Sequence, residues 1–324
     1  MTLSRLFSPK SIAIIGGGAW CASVAEQALK MGFSGEIYSV HPKGKPLAGL
    51  QSFATVTALP TAPDATFIGV NRHATLEIVA QLNAMGAGGA ICFASGFSEA
   101  EHEDDSGTDL QKQLVNAAGD MPILGPNCYG VINYLDRTIL WPDQHGGAPV
   151  DSGVAIITQS SNMAINITMQ QRGLPIAAIA CAGNQAQTGM ADIGIHLLQD
   201  PRITALGLHI EGFNNIRDYE ALAAESSRLN KPIVALKVGK SDQAKAATIS
   251  HTASVAGGDA GANALLKRLN MARVDSLPTF LETLKLLHFA GALPHANIAS
   301  ISCSGGEASL AADTAHGTNV SYPA

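Results

Sequence analysis

The residues best suited to chemistry lie in the segment Ser250-His251-Thr252-Ala253-Ser254, where one histidine is surrounded by small side chains. Small neighbours leave room for an anionic group beside the imidazole, and hydroxyl and backbone N–H groups could hold that anion. A neutral imidazole, with an ordinary pKa of about 6.5, is a good nucleophile near neutral pH. The segment therefore indicates a histidine that meets phosphate. A solvated loop histidine without chemical function is the alternative.

The composition limits the classes of protein to which the chain can belong. Its 324 residues are 46% hydrophobic and 14% charged, with 33 glycines, which favours two domains with buried parallel sheets. The net charge of −6 gives no general attraction to nucleic acid or to an anionic membrane. The five cysteines form no CxxC pair, so neither a disulfide framework nor a metal site is indicated, and a cytoplasmic location is expected. No apolar stretch reaches membrane-spanning length.

Short apolar runs alternate with amphipathic stretches, which is the βαβ pattern of a parallel sheet. The predicted strands of the first half are Ser11–Ile15, Glu36–Val40, Ala65–Val70, Gly89–Phe93 and Pro122–Leu124. Those of the second half are Gly153–Ile157, Ile176–Cys181, Ala205–His209 and Pro232–Lys237. A further strand at Ile298–Ile301 and a helix at Glu307–Ala315 indicate that another α/β domain begins at the C-terminus. We therefore predict domains at 1–134, 153–293 and 294–324, with a proline- and glycine-containing linker at 135–152.

The first domain contains a candidate site for a ligand that carries several phosphates. Gly16-Gly17-Gly18 lies between a strand and a helix, where glycines let the backbone approach phosphate closely, although a tight turn alone is the alternative. The second strand ends with a basic turn that includes Lys43, where a NAD site would have an acidic residue. Lys43 therefore favours the extra phosphate of NADP or coenzyme A, or it is simply solvated. Further candidates at the ends of strands are Asn71, Ser95, Gly96 and Asn127.

Many short segments together resemble one family, the NDP-forming acyl-CoA synthetases of the succinyl-CoA synthetase superfamily. In the first half they are Leu6–Ala13, Gly16–Gly18, His41–Lys43, Ala94–Phe97 and Leu124–Gly130. In the second half they are Ile157–Ser161, Gly183–Gln185, Asp200–Arg202, Ile210–Gly212, Lys231–Lys237 and Ser250–Thr252. The resemblance covers essentially the whole chain in the same order. It implies an α/β fold with parallel sheets, in which a Rossmann-like CoA-binding domain precedes a flavodoxin-like ligase domain.

The resemblance also implies roles for individual residues. His251 aligns with the phosphohistidine of the family, and Glu211 aligns with the glutamate that contacts it. Ser160, Ser161 and Asn162 fall at the start of a helix, where backbone N–H groups would hold the phosphoryl group; plain N-capping by serine is the alternative. The implied reaction forms an acyl-CoA from a small carboxylic acid, CoA and ATP. ATP and Mg²⁺ would bind to an ATP-grasp domain or subunit outside this chain, since the chain has no GxxxxGK[ST] loop. An oligomer is therefore expected.

Two positions depart from the family pattern. Ser161 and Ala253 stand where the family usually has glycine, and both lie in segments expected to face phosphate. Added side chains there would narrow the pocket or exclude a positive φ angle. This motivates the alternative of a non-catalytic module that senses CoA or acyl-CoA. A NAD(P)-dependent oxidoreductase, suggested by the glycine turn alone, leaves the His251 segment unexplained.

Overall fold

The computed structural model describes residues 2–101, 105–241, 243–244 and 258–322. They divide into two compact units, Met1–His288 and Phe289–Ala324. The first unit holds two sheets with helices packed against them, so the α/β class expected from the alternating pattern is confirmed. All the predicted site residues fall within its sequence range. No helix in the described part of the chain is long and apolar enough to cross a membrane.

The first sheet has six parallel strands in the order β3-β2-β1-β4-β5-β6. They are β1 (Ser11–Ile15), β2 (Glu36–Val40), β3 (Ser52–Phe53), β4 (Ala65–Ile68), β5 (Ala90–Cys92) and β6 (Ile123–Leu124). The central strands are short runs of buried residues, as expected when both faces of a parallel sheet are covered. The strand order reverses direction between β1 and β4, which is where open α/β sheets bind ligands at their carboxyl edge.

The helices of this half are α1 (Ser4–Phe7), α2 (Ala19–Met31), α3 (Arg72–Met85) and α4 (Gly107–Ala118), with 3-10 turns at Val56–Ala58 and Ser98–Ala100. Helix α2 begins directly after the glycine turn, so its first N–H groups lie beside the carboxyl end of β1. Helices α2 and α3 end at Gly32 and Gly86, whose φ angles of 77° and 75° suit glycine because it has no Cβ atom.

The second sheet has seven strands in the order β13-β12-β11-β9-β10-β7-β8. They are β7 (Val131–Asn133), β8 (Thr138–Leu140), β9 (Gly153–Thr158), β10 (Ile176–Cys181), β11 (Ile203–Ile210), β12 (Ile233–Lys237) and β13 (Ala272–Val274). Strands β9 to β13 pair in parallel, whereas β7 pairs antiparallel with both β10 and β8. The helices are α5 (Ser161–Thr168), α6 (Met190–Leu198), α7 (Ile216–Leu229), and two more at Asp259–Arg268 and Leu277–Ala290.

The predicted linker at 135–152 differs from the structure in one respect, because it contains β8. The prolines and glycines that suggested a linker all follow this strand, and residues 141–152 have neither helix nor strand. Strands β7 and β8 were not predicted. Tyr134 directly follows β7, Trp141 directly follows β8, and both are fully buried, so the segment belongs to the core of the second sheet.

The second unit was expected to begin with a strand at Ile298–Ile301, and the described residues form no strand there. Asn297 makes an isolated bridge with Ser321, and the side chain of Ile301 is exposed. A strand requires a neighbour that pairs with its backbone over several residues, and one bridge does not supply it. The predicted helix is present at Gly305–Ala315, where Ser304 and Glu307 form a capping box.

Candidate active site

A cavity of about 220 Å³ joins the two halves of the first unit. Its walls come from three segments: the loop after β6, the residues after β9, and the residue after β11. The lining residues are Asn127, Tyr129, Gln159, Ser160, Ser161, Asn162 and Glu211. Five of these seven were predicted from the sequence as site residues. The cavity is therefore the place where the predicted phosphate-binding loop, the glutamate and a residue of the first domain meet.

The Ser160 loop is fixed by its own hydrogen bonds. Strand β9 ends at Thr158, whose hydroxyl accepts the backbone N–H of Ser160 at 3.0 Å. Ser160 then caps α5, since its hydroxyl accepts the N–H of Met163 at 3.4 Å. The predicted alternative, N-capping by Ser160, is thus present. The cap leaves the first N–H groups of α5, those of Ser161 and Asn162, at the cavity, where an anion would complement them and the helix dipole.

Ser161 does not require a special backbone conformation. It is the first residue of α5, and it is not among the described residues with a positive φ angle. Its hydroxyl accepts the thiol of the buried Cys181 at 3.5 Å. The side chain that replaces the family's glycine is therefore held against β10 by a defined contact.

Glu211 is held in place through its backbone. Its N–H donates to Oε1 of Gln159 at 2.6 Å, and its carbonyl accepts Nζ of Lys237 at 2.8 Å. Lys237 is buried, which lowers the pKa of its amino group, with the charge of Arg273 acting in the same direction. The same Nζ also donates to the carbonyl of Val238. These contacts fix the peptide groups around Glu211 and leave the side chain partly exposed beside the cavity.

Asn127 enters the cavity from the other half of the unit. Its backbone is left-handed, with a φ angle of 55°, and its N–H donates to the carbonyl of Ala94 at 2.9 Å. The loop after β10 packs on the same segment, since the N–H of Asn184 donates to the carbonyl of Pro126 at 3.0 Å. Gly183 allows this approach, because a Cβ atom there would lie 2.4 Å from the carbonyl oxygen of Pro126.

The glycine turn lies at the carboxyl end of β1. Gly16 has a φ angle of 127°, and the ring of His41 packs beside Gly17, where an added Cβ atom would lie 2.3 Å from Cδ2. His41 Nδ1 accepts the backbone N–H of Lys43 at 3.1 Å, so the hydrogen of the neutral ring is on Nε2, on the side of Gly17. Gly18 has open space around its Cα, and Lys43 is exposed.

The other predicted binding residues also follow strands of the first sheet, and none of them lines the cavity. The side-chain oxygen of Asn71 accepts the N–H of Ala74 at 3.0 Å, which makes Asn71 the N-cap of α3. The N–H of Gly96 donates to the Glu99 carboxylate at 2.6 Å. Ser95 is exposed. The cap and the Glu99 contact show structural roles for Asn71 and Gly96, and a ligand-binding role stays a prediction for all three.

Comparison with known proteins identifies the family. Residues 10–134 match the model of a CoA binding domain, and residues 151–287 match that of the succinyl-CoA ligase like flavodoxin domain. The chain is 31% identical over 322 residues to a trans-feruloyl-CoA synthase of an unknown prokaryotic organism, covering 97% of this chain and 45% of that protein. It is 28% identical to the alpha subunit of ADP-forming acetate–CoA ligase I from Pyrococcus furiosus, covering 97% and 70%. The chain belongs to the NDP-forming acyl-CoA synthetase family.

A solved structure of this family has the same fold. Ca. Korarchaeum cryptofilum dinucleotide forming acetyl-coenzyme A synthetase 1, in complex with phosphate and ADP, superposes with a TM-score of 0.87 at 26% identity, covering 99% of this chain and 70% of that chain. The Rossmann-like and flavodoxin-like domains expected from the resemblance are therefore confirmed. The chain spans less than half the length of its single-chain relatives, such as 45% of the feruloyl-CoA synthase.

The central residue expected from the family pattern, His251, lies outside the described residues, as does Ala253.

Sequence reasoning missed three residues of this site: Gln159, Lys237 and Tyr129. Gln159 and Tyr129 stood inside quoted family segments, Gln159 directly before Ser160 and Tyr129 two residues after Asn127. Lys237 carried a clearer signal, because a lysine at the end of a buried strand requires a partner.

Proposed function

We propose that this chain is the CoA-binding and phosphohistidine-bearing part of an acyl-CoA synthetase. The enzyme forms an acyl-CoA from a carboxylic acid, CoA and ATP, with release of ADP and phosphate. The observation that carries the proposal is the cavity in which Asn127 of the CoA-binding domain meets the Ser160 helix start and Glu211 of the ligase domain. An anion held there would lie between the two domains that the reaction must connect.

The proposed chemistry divides a difficult condensation into three transfers. An imidazole nitrogen of His251 attacks the γ-phosphorus of ATP, and ADP leaves with the electron pair of the broken P–O bond. A carboxylate oxygen of the acid then attacks this phosphorus, and the N–P electron pair returns to the ring. The CoA thiol finally attacks the carbonyl carbon of the acyl phosphate, and phosphate leaves with the thiol proton. Each covalent intermediate lowers the barrier of the step that follows.

Glu211 and the Ser160 loop have separate tasks in this proposal. The Glu211 carboxylate would accept the N–H of one ring nitrogen of His251, which leaves the other nitrogen free to attack phosphorus. The N–H groups of Ser161 and Asn162 would stabilise the negative oxygens of the phosphoryl group, with the dipole of α5 adding to the effect. These roles are supported by the positions of Glu211 and α5 at one cavity.

Binding of CoA is assigned to the carboxyl edge of the first sheet. Gly16, Gly17 and Gly18 would hold the diphosphate, with Lys43 on the additional phosphate of CoA, and Asn127 would lie near the thiol end. ATP and Mg²⁺ would bind to an ATP-grasp domain or subunit, as the match to proteins named as alpha subunits supports. An oligomer and a cytoplasmic location complete the proposal, the latter supported by five free cysteines.

The test uses calorimetry and a labelled phosphoryl donor. We expect the purified chain to bind CoA and to show no heat with NAD. Acetyl [³²P]phosphate should label the chain by the reverse transfer, in which His251 attacks phosphorus and acetate leaves. The label should be acid-labile, absent in His251→Ala and retained in His73→Ala, an exposed histidine elsewhere. NAD binding without CoA binding, or equal labelling of His251→Ala, would contradict the proposal.

One observation favours a second candidate, the CoA-sensing module. Ser161 places a side chain at the phosphate-facing start of α5, where the family pattern has glycine. CoA binding without any labelling of histidine would support this candidate and exclude the first.

A further inference from the structure

Gln159 differs from every other residue of the cavity in its hydrogen bonding. Its side chain is only 6% exposed, and its Oε1 accepts two backbone N–H groups, from Glu211 at 2.6 Å and from Gly212 at 3.0 Å. The second atom of the amide, Nε2, is buried and has no hydrogen-bond partner among the residues that the structure describes. Within the part of the chain that the structure describes, the amide oxygen is thus hydrogen-bonded and the amide nitrogen is not.

The orientation of this amide is fixed by chemistry. Exchanging the oxygen and the nitrogen would place an NH₂ group against two N–H donors, which repel it, so the oxygen must face Glu211 and Gly212. The NH₂ group therefore cannot turn to find an acceptor on that side. A buried donor without an acceptor is unfavourable, and native proteins rarely keep one unless a ligand supplies the acceptor.

The surroundings of Gln159 determine what that acceptor is. Gln159 forms part of the cavity wall, between the start of α5 and Glu211. Other donors at the cavity include the free N–H groups at the start of α5, those of Ser161 and Asn162, which favour a negatively charged oxygen. The buried amino group of Lys237 lies directly behind Glu211, where it donates to the Glu211 carbonyl at 2.8 Å, and adds positive charge to the same region.

We propose that Nε2 of Gln159 is a donor to the phosphoryl group transferred in this cavity, while Oε1 of the same amide positions Glu211. This inference rests on the proposed function and extends it to Gln159, which was not among the predicted site residues. A single buried side chain then links the group that orients the histidine to the group that holds the phosphate. It keeps the two at a constant separation during the transfer.

Two variants separate the two halves of the amide. Gln159→Glu keeps an oxygen that accepts the N–H groups of Glu211 and Gly212, removes the donor and introduces a buried carboxylate. Gln159→Met has a similar shape, removes both functions and adds no charge. Binding of inorganic phosphate to the purified chain is measured by ³¹P NMR titration, and CoA binding is measured by calorimetry on the same samples.

Both variants are expected to weaken phosphate binding by about 10- to 100-fold, the usual effect of losing a hydrogen bond to a charged group. Both variants should melt at a lower temperature than the wild type, Gln159→Glu because it buries a carboxylate and Gln159→Met because it leaves the N–H groups of Glu211 and Gly212 without an acceptor. CoA affinity should change less than about twofold in both, since a loss near 0.4 kcal/mol is within the scatter of neutral substitutions. Because Gln159→Met adds no charge, weaker phosphate binding in this variant cannot come from repulsion by a carboxylate such as that of Gln159→Glu.

Phosphate affinity equal to that of the wild type in Gln159→Met would overturn the inference. So would a wild-type chain that binds CoA and shows no phosphate binding. A chain that binds neither CoA nor phosphate would instead contradict the proposed function itself. If Gln159→Met does not fold, Gln159→Glu is the deciding variant. Phosphate affinity equal to that of the wild type in Gln159→Glu would then overturn the inference.

Discussion

Thr158 Oγ1 and His209 Nδ1 lie 3.0 Å apart across the paired strands β9 and β11, directly beneath the Ser160 loop. The same hydroxyl accepts the N–H of Ser160, so His209 supports the Ser160 loop through the side chain of Thr158. His209 is buried, which lowers its pKa to about 4, and the charge of Lys237 contributes in the same direction. The base of the Ser160 loop is therefore built around an imidazole that is neutral at physiological pH.

The buried His209 predicts a loss of stability in acid. Above pH 6.5 the ring is neutral in both states and has no effect on the free energy of unfolding. Between pH 6.5 and 4 the unfolded chain binds a proton that the folded chain does not, so stability falls as pH falls. The loss reaches about 3 kcal/mol at pH 4. Urea unfolding from pH 7 to 4.5 should show this decline, reduced in His209→Gln and unchanged in the exposed control His73→Gln.

The glycine turn predicts different effects for two neighbouring substitutions. In Gly17→Ala the new Cβ would lie 2.3 Å from Cδ2 of His41, so we expect a loss of about 1–3 kcal/mol in stability. In Gly18→Ala the Cβ meets no protein atom within 4 Å, so stability should change by less than about 0.5 kcal/mol. If CoA phosphates approach this turn, Gly18→Ala should still weaken CoA binding. Thermal melting measures the change in stability, and calorimetry measures the change in CoA affinity. Wild-type CoA affinity in Gly18→Ala would show that the CoA phosphates do not bind at this turn.

Trp20 offers a direct optical test of CoA binding. It is 44% exposed at the start of α2, immediately after the glycine turn, and its ring lies 5.6 Å from that of Phe93 and 5.9 Å from that of Tyr129. The chain has two tryptophans, and the other, Trp141, is fully buried. In Trp141→Phe we expect CoA to change the remaining fluorescence saturably. In Trp20→Phe, CoA should change the fluorescence of Trp141 very little. A CoA-dependent change in Trp20→Phe but not in Trp141→Phe would contradict the proposed CoA site.

The buried Lys237 predicts a strong dependence of stability on one amino group. Lys237→Met keeps the apolar stem but leaves the carbonyls of Glu211 and Val238 without their donor, so we expect a loss of about 2–4 kcal/mol. Lys240, three residues later, pairs with Asp275 at the surface and is 45% exposed. Lys240→Met should cost less than about 1 kcal/mol. Equal effects of the two substitutions in urea unfolding would show that the Lys237 contacts contribute little.

Much of the architecture could be predicted because parallel strands buried on both faces are nearly continuous apolar runs. β1, β2 and β10 were predicted with their observed bounds. The pair β7 and β8 was missed, since each strand has only three residues and β8 lies within the stretch that was predicted as a linker. Short antiparallel strands have too few residues to show a period of two.

The candidate site was predictable in part for a related reason. The family resemblance implied Glu211 and Ser160; both follow strands, where side chains of parallel sheets converge, and both line the cavity. Gln159 was not predicted, because its role depends on which backbone N–H groups approach its oxygen across 52 residues of sequence. Asn71 was predicted at a binding edge, and its hydrogen bond as the N-cap of α3 is a local function that a strand-end position does not reveal.

The position of β7 has a consequence for dividing the protein. A gene cut after residue 134, where the match to the CoA binding model ends, would leave β7 on the first fragment without its partners β10 and β8. The second fragment would expose an edge of β10, and such open edges promote aggregation. A cut before Val131 would keep the whole sheet together. Fusion or exchange of these modules between related enzymes would therefore succeed at the Gly125–Gly130 loop and fail four residues after it.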